Sequence, residues 1–312
     1  MREALLEDNF RLNIFGDPRD AVINYLAPEM MLEYNHLFNL AEKSVIDDKE
    51  KLSRVIEARL PLLFAEIQIA GQIPVGQRGS FYNTNEKGNI IPKPYMKNKV
   101  EEFVTRAKKA DIQRIGERAI TIDDYSNNFK RIFEKMKKMD QVISYNKKII
   151  PISEPTFGNE NLSRLTDGIF GAYESWRFPD KDANWVAYKG IHMVFILDLE
   201  AIVPIKNIEM DFLNVQAQAN WHQLMLPKFV TYSISPDGVN FSEPVQIDNP
   251  HNPNPAENPD IIKIPFLGFK ASYNNTKARF IKVHAESELQ MPSWHINAGK
   301  PVILYADEIV VN

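Results

Sequence analysis

Cysteine is absent from all 312 residues. Disulfide staples, thiolate metal sites and cysteine nucleophiles are therefore excluded, but the compartment is not fixed by this alone. No apolar run reaches the roughly 18 residues that a membrane-spanning helix needs, so no span is expected. An excess of basic charge is also lacking: 37 Lys and Arg stand against 41 Asp and Glu, a net charge of −4. That balance argues against non-specific nucleic-acid binding. The opening MREALLEDNF has no apolar core of a secretory signal. Gly-x-Ser-x-Gly, a Gly-rich phosphate loop and His-Glu-x-x-His are missing as well, so no catalytic signature is offered. Tryptophan is scarce. The chain has four, and all lie after residue 170.

What is present is a soluble, globular composition, 44% hydrophobic and 25% charged, in a chain long enough for two domains. Two periods divide it. Residues 1–147 read as a helical domain. Asp17-Pro18 supplies an N-cap and a first-turn proline, and Val22, Leu26, Met30 and Leu37 follow at helical spacing through to Val45. Asp47-Asp48 can cap a second helix whose apolar stripe includes Leu52, Val55, Ile56, Leu62, Leu63 and Ile67. Pro28 and Pro61 should kink or divide these helices. Further helices are expected over Lys97–Ile115 and Ile122–Met139. Between the second helix and the third, Gly71–Tyr95, rich in Gly, Pro and Asn, reads as a loop or short hairpin.

Residues 148–312 change to period two. Ile208, Met210 and Phe212 alternate, as do Val230, Tyr232 and Ile234, and Ile281, Val283 and Ala285. Ser235-Pro236-Asp237-Gly238 is a turn between antiparallel strands. Met193–Leu199 is a continuous apolar run that suits a covered strand, and Asn249–Asp260, with four prolines, is an irregular loop. The fold class is thus multidomain α and β: a helical bundle region followed by an antiparallel β-sandwich.

Within the second half, Leu165-Thr166-Asp167-Gly168, Trp176 and Leu197-Asp198-Leu199 come first. Leu226-Pro227-Lys228-Phe229-Val230, Ser233 to Phe241, Ala278-Arg279-Phe280-Ile281, Pro292-Ser293-Trp294-His295 and Asp307-Glu308-Ile309 follow in order. This series resembles the discoidin-like, coagulation factor V/VIII type C domain with its galactose-binding-like jelly roll, above all the versions attached to bacterial hexosaminidase-type glycosidases. The resemblance departs at Leu199-Glu200, where the family usually has Gly after Leu, and a different turn is expected there. The helical half is similar, more weakly, to the segment behind the catalytic barrel of uncharacterised bacterial glycoside-hydrolase-like proteins, through Asp17–Ala70. That likeness implies an upstream catalytic domain, a start at Met1 that is internal or engineered, and a periplasmic, cell-surface or secreted location for the longer protein.

The resemblance also implies a structural Ca²⁺ held by Asp167 and Glu308, with backbone carbonyls near Leu165 and over 169–175 completing a shell of about six to eight oxygens. Alternatively, Asp167 only makes a turn and Glu308 is solvated on the last strand. For a glycan partner the residue types needed are an aromatic face for stacking and a few fixed polar groups. Three candidate loops carry them: Trp176, Arg177 and Trp185; Asn220, Trp221 and His222; Trp294, His295 and Asn297. Trp176 can equally pack beneath its loop, and Trp294-His295 can brace the Pro292 turn.

No pair of acids reads as a glycosidase dyad, because Asp47-Asp48 and Asp123-Asp124 stand at helix starts, where carboxylates suit the dipole. His192, His251 and His284 read as scattered, with His284 on the outward face of its strand. Lys130, Arg131, Lys135, Lys137 and Lys138 read as the solvated basic face of an amphipathic helix. The leading expectation is therefore a non-catalytic, carbohydrate-binding and structural portion of a glycoside-hydrolase-like protein. The alternatives are a protein-adhesion module, a complete glycosidase and, ranked last, lipid insertion through Leu224, Met225, Leu226, Leu289 and Met291.

Overall fold

The computed structural model describes residues 18–115, 120–156, 161–171, 184–214 and 222–312. These form two compact units. The first comprises residues up to Ile115 together with Thr121–Phe129, and the second comprises Gly116–Ile120 and Lys130–Asn312. The division falls inside a helix, because the last two turns of Ile122–Met136 share their surroundings with the β half.

The first unit contains α1 (Pro28–Ser44), α2 (Lys49–Ala58), α3 (Leu60–Ala70), the hairpin β1 (Tyr82–Thr84) and β2 (Ile90–Pro92), α4 (Pro94–Lys109) and the start of α5 (Ile122–Met136). Prolines begin α1, α3 and α4 rather than kinking them, since a first-turn residue needs no backbone N–H. The segment after Pro18 makes only a short 3₁₀ turn, Pro18–Ala21. Asp48 caps α2 as expected, its side chain accepting from the Lys51 N–H at 3.1 Å. At the start of α5 Thr121 and Asp124 cap each other's backbone N–H groups, so Asp124 serves the helix end, while Asp123 pairs with Lys108. The buried face of α1 carries Met31, with Tyr34 and Phe38 partly buried beside it. Leu37, expected on that stripe, is 53% exposed. Helix α3 is central: Leu60, Leu62, Leu63, Ala65, Ile67 and Ala70 are all buried. Phe64 meets the rings of Phe103 and Tyr125 at 5.6 and 6.2 Å.

The second unit is the sandwich. Its strands are β3 (Lys148–Pro151), β4 (Val186–Lys189), β5 (Met193–Leu213), β6 (Phe229–Ser235), β7 (Val245–Asp248), β8 (Phe266–Glu286) and β9 (Ile303–Val311). All pair antiparallel, in the order β4-β9-β5-β8-β6-β7, with β3 on the first part of β5. The two long strands β5 and β8 run through both layers. Their register breaks between Asp198 and Val203 and again between Ile205 and Asn207, which bends the sheet over on itself. One layer is β3, early β5, late β8, β6 and β7; the other is β4, β9, late β5 and early β8.

Alternating residues from both layers meet in one core, including Phe195, Leu197, Tyr232, Ile281 and Val283 from the first and Met210, Phe212, Phe269, Leu304 and Ile309 from the second. Each large side chain so buried contributes about 1.5–3 kcal/mol. The Tyr232 hydroxyl crosses between layers and donates to the Phe269 carbonyl at 2.7 Å.

At the bend Glu200 adopts the left-handed backbone, φ 68°, that glycine takes without strain, and its N–H donates to Asp198 Oδ1 at 2.7 Å. The basic face of α5 is not fully solvated. Arg131 Nη1 donates to Asp211 Oδ2 at 2.7 Å while its guanidinium lies 3.9 Å from the Phe266 ring centre, and Lys135 pairs with Asp211 and Glu209. Burial would pull the Lys135 pKa down, but Asp211 and Glu209 hold it above its ordinary value.

Candidate functional site

The strand ends of the sandwich converge at one rim. Strand β4 ends at Lys189, β5 and β9 begin at Met193 and Ile303, β8 ends at Glu286 and β6 begins at Phe229. The connections 190–192, 222–228 and 287–302 therefore lie side by side. Gly190 N–H donates to Val302 O at 2.7 Å, Met225 N–H to Ile303 O at 3.2 Å, and Lys228 N–H to Glu286 O at 2.8 Å. Met225, Met291 and Val302 form a small apolar cluster of their own beneath these loops.

Two of the predicted glycan-binding side chains sit on this rim with defined roles. Trp294 is 38% exposed, and the ring of His295 meets it edge-on at 5.6 Å. His295 itself is buried. Its Nδ1 accepts the Asn297 N–H at 3.1 Å, and burial lowers its pKa, so it stays a neutral brace behind the exposed ring. Leu289 and Ile296, on the same connection, are 44% and 73% exposed. His222 begins the neighbouring loop and is half-buried. Trp176, Arg177 and Trp221 lie outside the described residues, as does Asn220. Trp185 is no ligand. It is sealed in the protein, stacked on Phe266 at 5.9 Å with an interplanar angle of 8°, and packed so tightly on Gly171 that a Cβ there would come within 2.4 Å of its ring.

The apolar lipid tip does not form. Leu224, Met225, Leu226 and Met291 are buried, and only Leu289 of the five is exposed.

The predicted metal residues are brought together away from these loops. The Asp167-Gly168 turn places Gly168 at φ +78°, and its N–H donates to Glu308 Oε1 at 2.8 Å. Asp167 Oδ1 accepts the Ile169 N–H at 2.9 Å, and Oδ2 accepts Arg164 Nη1 at 2.9 Å. The two carboxyl groups also hydrogen-bond each other. Burial raises both pKa values, Glu308 far more, because Arg164 and the backbone offset the charge on Asp167. Glu308 is thus not solvated. Burial and the neighbouring Asp167 carboxylate favour a proton on Glu308, and a hard cation in that position would replace it. The two side chains offer only oxygen, the donor type that calcium takes, with the Arg164 cation already on Asp167 Oδ2. Part of the 169–175 backbone expected to complete the shell lies outside the described residues.

Next to Glu308 lies an acid that sequence reading did not single out. Asp307 is fully buried. Its Oδ2 accepts the Gly171 N–H at 2.8 Å, while no protein group hydrogen-bonds Oδ1 among the described residues. Burial pushes its pKa up to about 7, against the opposing pull of Arg131. Strand alternation should turn Asp307 and Glu308 to opposite faces, so two consecutive buried acids are not a pattern that periodicity reveals. The histidines read as scattered are also not all so, since the rings of His192 and His284 are 5.6 Å apart.

No family model matches the chain, and no curated protein does. Solved structures do. A fucose binding module of Streptococcus pneumoniae is 13% identical over 55% of this chain and 93% of its own, with a TM-score of 0.32. The lectin domain of lectinolysin complexed with Lewis B antigen is 11% identical over 55% and 94%, at 0.32. The C-terminal domain of a chitobiase from Bacteroides fragilis is 17% identical over 55% and 95%, at 0.30. Likeness at this level assigns no ligand to this chain.

Proposed function

We propose that this chain is the non-catalytic, carbohydrate-binding and structural portion of a glycoside-hydrolase-like protein, and that the loops at one rim of its sandwich engage glycan. The observation that carries the reading is Trp294, a tryptophan held partly in solvent by a neutral, backbone-anchored His295. A flat indole fixed in this way can stack on the C–H face of a sugar without losing much side-chain freedom. Polar groups on the same loop, Asn297 and Lys300, are hydrogen-bonded to each other at 2.8 Å and offer donors and acceptors to hydroxyls. Trp221 and His222 would extend the surface, and Trp176 and Arg177 would add to it.

Catalysis within the chain has little support. Asp48 and Asp124 cap their helices, and the buried acids Asp167, Asp211, Asp307 and Glu308 engage each other, the backbone or Arg131 and Lys135. Asp167 and Glu308 would hold Ca²⁺, which would stabilise the turn and the last strand rather than take part in chemistry. Binding energy would then come from a preformed rim.

A glycan array followed by titration calorimetry tests the proposal. Binding of at least one oligosaccharide is expected, with Trp294→Ala weakening it about tenfold or more, the loss of roughly 1.4 kcal/mol or above that a stacked aromatic supplies. Saturable glycan binding that survives this substitution would move the site elsewhere. A second reading, protein adhesion through the same rim, is favoured by the exposed Leu289 and Ile296 on the connection that carries Trp294. It predicts that Ile296→Ser abolishes capture of a protein partner while no glycan on the array binds.

A further inference from the structure

The outward face of the first layer carries a group of side chains that glycan binding does not use. His192 immediately precedes β5, and His284 and Glu286 end β8. Strand alternation puts His284 and Glu286 on one face, and antiparallel pairing of Val194 with His284 sets His192 beside them. Each of the three offers a donor atom, and the donor atoms lie within 4.8 Å of one another, the one such group among the described residues.

We propose that His192, His284 and Glu286 form a binding site for a divalent first-row transition ion of the zinc class. The spacing suits it. Glu286 Oε2 stands 3.0 Å from His284 Nε2 and 3.3 Å from His192 Nδ1. Ligands about 2.0–2.1 Å from a tetrahedral ion stand roughly 3.3 Å from one another. The donor set, two imidazoles and one carboxylate, selects this class over calcium or magnesium, which prefer oxygen alone. Three ligands leave a fourth position open to solvent, since all three side chains are about one-quarter to one-third exposed, from 25% for Glu286 to 35% for each histidine.

His192 Nδ1 accepts the Ser287 N–H at 3.2 Å and lies 3.3 Å from Glu286 Oε2, so an ion bound at Nδ1 would take the lone pair that now accepts this N–H. The backbone already supports the ring's position, because Ser153 Oγ donates to the His192 carbonyl at 2.9 Å and accepts the Val194 N–H at 2.8 Å.

Titration calorimetry of the whole chain with zinc chloride, after chelator treatment, tests the site. One zinc per chain is expected. Affinity should fall about tenfold or more in His284→Ala and in Glu286→Gln, and stay unchanged in His36→Ala and His251→Ala. Cobalt(II) bound to the wild type should give the intense visible bands of a four- or five-coordinate ion, lost in the same two variants. Absence of saturable zinc binding overturns the proposal, as does binding that His284→Ala retains or that His251→Ala loses equally. Should His284→Ala fail to fold, Glu286→Gln, which keeps the side-chain volume at a half-buried position, decides alone.

Discussion

Asp307 makes the most exacting prediction. Its carboxyl group is buried, with one oxygen on the Gly171 N–H and no protein partner for the other among the described residues. Burial raises its pKa from 3.8 to about 7. The folded protein therefore keeps this proton up to about pH 7, whereas the unfolded chain releases it near 3.8. The stabilising contribution is complete below the lower value and is lost as pH rises through the higher one. At about 1.4 kcal/mol per pH unit, that interval sets a ceiling of about 4 kcal/mol on the penalty for holding the charge. Relaxation around Arg131 reduces it, and about 2 kcal/mol is expected. Asn is the neutral isostere of the protonated acid and still accepts from Gly171. Asp307→Asn should raise stability by less at pH 5, where the unfolded wild type is already ionised and the folded one is not, than at pH 8, where the gain reaches about 2 kcal/mol, roughly 4–8 °C in melting temperature for a unit of this size. Urea unfolding followed by tryptophan fluorescence isolates the sandwich, since all four tryptophans lie there. A variant more destabilised at pH 8 than at pH 5 would show that the folded protein needs the ionised carboxylate, and would refute this reasoning.

Three further outcomes are expected. Gly171→Ala should destabilise the sandwich by about 1–3 kcal/mol or more in the same urea assay, because the added Cβ meets the Trp185 ring at 2.4 Å. Ser144→Ala should lower stability by about 1–3 kcal/mol, since the hydroxyl donates to Ile309 O at 2.6 Å and accepts the Val311 N–H at 3.0 Å in a buried position. If calcium replaces the proton shared by Asp167 and Glu308, millimolar Ca²⁺ should raise the melting temperature of the wild type by several degrees and leave Glu308→Gln unmoved, as differential scanning fluorimetry would read.

The β half was legible because its strands alternate cleanly and its turn residues are local signals. Val230, Tyr232 and Ile234 face the core as period two requires, and Gly238 takes the positive φ its turn needs. Helix caps at Asp48 and Asp124 could be read for the same reason, since a cap is an interaction within three residues. The apolar stripe of α1 was less legible. Met30 and Met31 are neighbours of equal hydrophobicity, and only packing on Leu62 and Ala65 chose the second.

Sequence alone determined where the chain changes from helical to strand period, which turns close hairpins and that any thiol chemistry is excluded, because each depends on composition or on contacts between near neighbours. Only the tertiary structure decided that Trp185 is core while Trp294 faces solvent, that Arg131 and Lys135 meet Asp211 rather than water, and that His192 stands beside His284 and Glu286. Those outcomes follow from strand register and layer packing between residues as many as 94 positions apart, as for His192 just before β5 and Glu286 on β8. No local pattern of residues encodes a register of that range.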